Sequence, residues 1–339
     1  MSLGKIFTPG FLLVFVGAAI AAEIPPPWAY GFKEAAPVTV TAALVPATTT
    51  SVPPKLPDFP LLSLPGSDRH FTPADIRNNF APADWYPGDH PVMPEIVAHG
   101  KPPLIWACAR CHYPNGRGRP ENAPIVGLPV EYFIEQMHAF RNDERKSSDT
   151  RKPNTPLMIG YAKAMTEEEI RAAAEYYASM PRAPWIRVVE TDRVPQTLIS
   201  AGMFLQVAGG GDEPLGERII EVPEDADTVE IQRSPRIGFI AYVPFGSIKQ
   251  GEALVTTGGG KTVVCATCHG PDLRGMTAPE MGALPALAGR SPSYLFRQLF
   301  DIKSGFRHGQ RVEFMKPVVT ALSSSDMLAI TAYLASLPP

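Results

Sequence analysis

All four cysteines of this 339-residue chain fall in two copies of one pentapeptide, Cys108-Ala-Arg-Cys111-His112 and Cys265-Ala-Thr-Cys268-His269. No cysteine is left over, and the spacing decides most of what the chain can be. Two thiols one helical turn apart can each add to a vinyl group of the same porphyrin. The histidine directly after the second thiol then falls under the iron. Other uses of paired cysteines fit less well. A thioredoxin-like dithiol needs a βαβ setting that neither copy has. A four-cysteine zinc site would have to join pairs far more distant in sequence than its usual ligand spacing. Disulfide pairing, natural in an exported chain, is disfavoured by the same C-x-x-C-H spacing. The expected cofactors are therefore two covalently bound haem c groups, with His112 and His269 as iron ligands.

Each haem iron needs a sixth ligand or an open face, and an internal repeat bears on which. Shifting the chain by 157 residues lays the first motif on the second, Met158 on Met315, Tyr176 on Tyr333 and Pro181 on Pro338. Each copy reads as a methionine in a loop, then a Thr or Ser N-cap (Thr166, Ser323), an acidic first turn and an amphipathic helix. Helices near Tyr132 and Tyr294 align only with a further shift of about five residues. Met165 competes with Met158, but it falls on Leu322 and reads as core. Met137 and Met327 read as helix packing. Met276 and Met281 follow the second motif by too few residues to reach the far face of a haem. His138 and His308 read as surface or structural histidines.

These two segments, residues 88–182 and 248–339, resemble class I cytochrome c domains in the tandem diheme arrangement of periplasmic electron carriers. The resemblance implies a mainly α fold of two haem domains. It also implies Met158 and Met315 as sixth ligands. A proline carbonyl that orients each proximal histidine is implied as well, and Pro124 and Pro285 stand where that proline would be.

The rest of the chain departs from that pattern. Residues 1–22 carry Lys5, an apolar run and Ala19-Ile20-Ala21, the form of a secretory signal cleaved near Ala21 or Ala22. The apolar run is shorter than the ~20 residues that a membrane anchor prefers. Residues 23–82 are rich in proline, of which the chain has 38, and are expected to form an extended arm. Residues 183–247 switch to β-like runs (WIRVVETDRV, ERIIEVP, GFIAYVPFG), expected to form a small β-rich insertion. The haem domains, at residues 83–182 and 248–339, are expected to be complete without it. Charge divides in the same way: residues 100–182 and 251–339 are each net +2, whereas residues 23–99 and 183–250 are each net −4. A total of −3 gives no electrostatic case for nucleic acid.

Three functions follow from a diheme chain of this kind. The first is an electron carrier between redox proteins, with a membrane oxidase or a periplasmic dehydrogenase among the partners and peripheral membrane association compatible with that role. The second is a cytochrome subunit of a larger dehydrogenase or oxidase complex. The third is an enzyme such as a diheme peroxidase, which needs one iron with an open face. A methionine at the same place in both halves favours the carrier, with no catalytic residue expected.

Overall fold

The computed structural model describes residues 23–33 and 60–339. The expected export signal, residues 1–22, lies outside the described residues.

Each motif lies within its own set of helices. The first half holds α1 (Cys108–His112), α2 (Val130–Arg141), α3 (Asn154–Ala164) and α4 (Glu167–Ala178). The second half holds α5 (Ser247–Thr257), α6 (Ala266–His269), α7 (Pro292–Lys303), a 3-10 turn at Val312–Met315 leading into α8 (Lys316–Val319), and α9 (Ser324–Ser336). Helices α4 and α9 begin where their caps stand. The Thr166 hydroxyl accepts from the Glu169 N–H at 3.2 Å, and the Ser323 hydroxyl from the Asp326 N–H at 3.1 Å. Both acidic residues bond back to the cap's own N–H, so two orphan donors are satisfied at each start. Among the described residues no single helix is long and apolar enough to cross a membrane.

Helix α5 crosses α9 at very short range because Gly251 sits at the crossing. A Cβ there would stand 2.0 Å from the Ala329 carbonyl oxygen and 2.8 Å from the Tyr333 Cβ. Backbone cannot swing aside as a flexible side chain can. Gly251→Ala is expected to cost about 3 kcal/mol, the upper end for overpacking, seen as a lowered thermal midpoint; an unchanged midpoint would contradict this crossing.

Residues 186–243 hold seven short strands: β1 (Ile186–Glu190), β2 (Arg193–Pro195), β3 (Thr197–Ser200), β4 (Met203–Gln206), β5 (Asp212–Pro214), β6 (Ile220–Pro223) and β7 (Phe239–Val243). Strand β7 pairs parallel with β1 and antiparallel with β6, while β2–β5 and β3–β4 form antiparallel pairs. The expectation that the second half is complete without this segment is overturned. Val194, Phe204, Leu215, Ile220, Val222 and Val243 share one buried core with Phe296, Phe300, Leu328 and Leu334. Glu221 in β6 reaches the start of α7, where its carboxylate accepts from the Ser291 hydroxyl and the Ser293 N–H, both at 2.8 Å. The segment also grips the first half through Asn115 Nδ2 on the Pro235 carbonyl (2.9 Å) and the Arg236–Asp89 pair (2.7 Å).

The proline-rich leader is also not simply extended. Residues 27–30 form a helical turn with Pro27 at its first position, where proline's fixed φ suits a helix. Trp28 packs on Phe296 with ring centroids 4.7 Å apart, and Tyr30 is buried against α7. Farther along, Leu64, Ile76, Trp85 and Tyr86 form a small core of their own. The middle of the leader, residues 34–59, lies outside the described residues.

The two halves meet through the loops after α2 and α7. Arg145 and Arg307 form an antiparallel backbone bridge. The Lys146 N–H donates to the Phe306 carbonyl and the His308 N–H to the Glu144 carbonyl, each at 2.8 Å. Arg311 pairs with Glu135 across the same seam at 2.6 Å.

Candidate functional site

The two C-x-x-C-H segments each wind into a short helix, and each opens on a large apolar cavity. The first cavity is lined by Cys108, Cys111, His112, Met158 and Met165 among others. The second is lined by Cys265, Cys268, His269, Met315 and Leu322 among others. None of the four cysteines is in a disulfide. Burial pushes the Cys108 thiol up to about 12 and the Cys265 thiol up to about 11. Neutral thiols in an apolar wall are poor ligands for a bare metal ion, since the thiolate is the ligand form. Among the described residues no cluster of three or more His, Cys, Asp or Glu side chains forms a metal site.

The histidines are oriented as axial ligands must be. Nδ1 of His112 lies 2.9 Å from the Ala123 carbonyl oxygen, and Nδ1 of His269 lies 2.8 Å from that of Pro285. A carbonyl only accepts, so Nδ1 carries the proton and Nε2 keeps its lone pair. Burial lowers the pKa of both imidazoles, which keeps them neutral. For the first half this corrects the expected acceptor. The carbonyl on His112 belongs to Ala123, while the Pro124 carbonyl accepts from Arg290 Nη1 of the other half at 2.6 Å. The Pro124 carbonyl thus faces the other half, and its neighbour faces the ring.

Each methionine expected as sixth ligand lines its cavity, but on a different local structure from the expected loop. Met158 lies inside α3, and Met315 ends the 3-10 turn before α8. Met165, at the end of α3, also lines the first cavity, as its repeat partner Leu322 lines the second. Only the 158/315 pair is methionine on both sides. Met281 stands on the wall of the second cavity, closer to it than its position in the sequence suggested. His138 is instead paired with Glu167 at 2.8 Å on the surface.

The cavities fit haem by their apolar lining and by a donor set of two thiols, an anchored neutral imidazole and a thioether on each side. Residues that the repeat at 157 did not reveal also border them. Tyr132 and Gln136 line the second cavity from the first half, and Tyr294 lines the first cavity from the second half. Their signal was the five-residue shift in the helix alignment, which brings Tyr132 onto Tyr294 and Gln136 onto Gln298.

Comparison with known proteins agrees with this chemistry. The family model described as Cytochrome c matches residues 100–181 and 248–338, together just over half of the chain. A thiosulfate dehydrogenase electron acceptor of Stutzerimonas stutzeri is 39% identical over 90 residues, which cover 26% of this chain and 39% of that protein. A protein of the same name from Thiomonas intermedia is 23% identical over 242 residues, covering 70% of this chain and 81% of that protein. Among solved structures, thiosulfate dehydrogenase from Marichromatium purpuratum aligns with a TM-score of 0.47 at 25% identity, over 72% of this chain and 39% of that one. The chain thus spans about 39% of the length of the first of these relatives. Two family matches, each containing one C-x-x-C-H motif beside one cavity, lead to one conclusion: the chain belongs to the cytochrome c family and carries two covalently bound haem c groups.

Proposed function

We propose that this protein is a periplasmic electron carrier whose two haems are both closed to substrate. In this reading Cys108 and Cys111 bind the first haem and Cys265 and Cys268 the second. His112 with Met158, and His269 with Met315, take the axial positions. Haem held in this way supplies a one-electron couple whose potential the methionine raises. The observation that carries the reading is the pairing, in each cavity, of an anchored imidazole with a methionine from the same repeat position. With both axial positions claimed by side chains, the chain has no residue set for catalysis at iron. Its role is to hold the haem edge, exclude water with the apolar wall and pass electrons between partners.

The partners in this reading are redox proteins. The relatives named as electron acceptors of thiosulfate dehydrogenase favour a dehydrogenase as donor, bound transiently or as part of a complex. Residues 1–22 then act as the export signal, since haem attachment of this type suits an exported chain.

An absorbance and haem-content measurement on the exported protein tests this. The expected result is two haems per chain that resist acid-acetone extraction, a near-infrared methionine-to-iron band in the oxidised form, and a reduced spectrum unchanged by carbon monoxide. Rapid carbon monoxide binding by one haem at neutral pH would overturn the closed-site reading and favour an enzyme.

A further inference from the structure

The helices α2 and α7 repeat at an offset of 162 residues, which lays Tyr132 on Tyr294, Gln136 on Gln298 and Arg145 on Arg307. All six side chains meet at the seam between the halves. Arg145 donates to Gln136 of its own half (2.9 Å), and to Gln298 (2.9 Å) and the Tyr294 hydroxyl (3.3 Å) of the other. Arg307 does the same in reverse, to Gln298 (3.0 Å), Gln136 (2.9 Å) and the Tyr132 hydroxyl (3.0 Å).

Two features mark this network as more than a structural clasp. One is charge. Arg145 and Arg307 are only 9% and 8% exposed, and neither has a carboxylate partner among the described residues. Arg307 Nε, buried, has no partner among the described residues. An unpaired buried cation is strongly unfavourable unless an anion arrives. The other feature is proton direction. Each tyrosine hydroxyl accepts from a guanidinium, so its own O–H is left to donate, and no acceptor takes it among the described residues. Position adds a third constraint. Arg145 and Tyr294 line the first cavity, and Arg307 and Tyr132 line the second. Tyr132 borders both cavities, but its hydroxyl is fixed on Arg307, which lines the second. Although burial raises the Tyr294 phenol, the guanidiniums of Arg145, Arg307 and Arg290 outweigh it and hold the phenol below its ordinary value. That is the signature of a local excess of positive charge.

Building on the haem reading above, we propose that the two sites are completed crosswise. Arg145 and Arg307 neutralise the carboxylate side chains that haem carries, and the tyrosine of each half, Tyr294 or Tyr132, donates its hydroxyl to the haem of the other half.

A hydrogen bond or cation at a haem carboxylate disfavours the oxidised form, so its removal lowers the potential of that haem alone. The test uses the full-length, haem-loaded protein with Tyr294→Phe or Tyr132→Phe. Its readouts are haem content, the two midpoint potentials and the paramagnetically shifted haem methyl resonances. Each haem is identified by its contacts with its own wall, Trp106 for the first and Val312 for the second. Expected for Tyr294→Phe is two haems per chain, a reduction equilibrium constant about threefold to tenfold lower for the first haem (tenfold being ~59 mV for one electron), and an unmoved second haem. Tyr132→Phe is expected to do the converse. Arg145→Gln is expected to lower the constant of the first haem about tenfold, with Arg145→Lys restoring most of it, as charge rather than shape requires. The proposal fails if each tyrosine variant moves the haem of its own half, if both haems move equally, or if neither moves. A wild-type content below two haems per chain would instead sink the haem reading itself.

Discussion

Deletion of residues 187–243, with the ends rejoined by a flexible linker, is expected to abolish folding of the second half. The reason is a shared core. The deletion removes Val194, Phe204, Leu215, Ile219, Ile220, Val222 and Val243 from the cluster that also holds Leu254, Phe296, Phe300, Leu328 and Leu334. Each such side chain contributes about 1.5–3 kcal/mol when fully buried. Seven of them together are worth on the order of 10 kcal/mol, as much as the whole net stability of an ordinary domain. The deletion also removes Glu221. Burial raises the pKa of its carboxylate, yet it is the acceptor that the Ser291 hydroxyl and the Ser293 N–H share at the start of α7. Loss of both would leave an apolar face open, and the Ser291 hydroxyl and Ser293 N–H without their acceptor, beside the second haem cavity. The measurement is haem content and circular dichroism of the truncated protein. Recovery of two haems and a wild-type melting curve would show that the strands are an appendage and that the haem domains are complete without them.

Replacement of the axial methionines is expected to give the largest change in redox behaviour. Met158→Ala should lower the potential of the first haem by on the order of 100 mV or more, within the ~0.8 V range that axial ligands span, and leave the second haem unchanged. Met315→Ala should do the same to the second haem. Each variant should also lose half of the near-infrared methionine band and gain carbon monoxide binding at one haem, because the vacated position admits an outside ligand. Met165→Ala and Met281→Ala are the controls, since both side chains reach the same cavities. Met165→Ala should cost packing in the core that it shares with Ile170 and Tyr177 and leave the band intact. If Met165→Ala removes the band of the first haem while Met158→Ala preserves it, the ligand assignment is reversed.

What the amino-acid sequence settled by itself was chemistry carried by short spacing. Two thiols and an imidazole within five residues act as one local unit, whatever surrounds them. The caps at Thr166 and Ser323 are equally local, because a hydroxyl and a carboxylate three residues on satisfy the first turn of their own helix. The place of the two methionines was legible because the repeat carries them together, although the helix around Met158 was not: Pro153 is the N-cap of α3 and Pro156 stands in its first turn, where a missing N–H costs nothing.

Tertiary structure decided the rest. Which carbonyl faces His112 depends on where Arg290 of the other half pulls the Pro124 carbonyl, a contact between residues 166 apart in the chain. Whether residues 186–243 stand alone could not be read from their β-like period, because alternation shows that a face is buried but not what buries it. The seam was hidden for the same reason. Tyr132, Gln136 and Arg145 lie in or just beyond an ordinary amphipathic helix, and nothing within thirteen residues shows that their partners are Tyr294, Gln298 and Arg307. Local pattern reports what a residue needs to bury or bond; only the packing of the two halves decides which atoms meet that need.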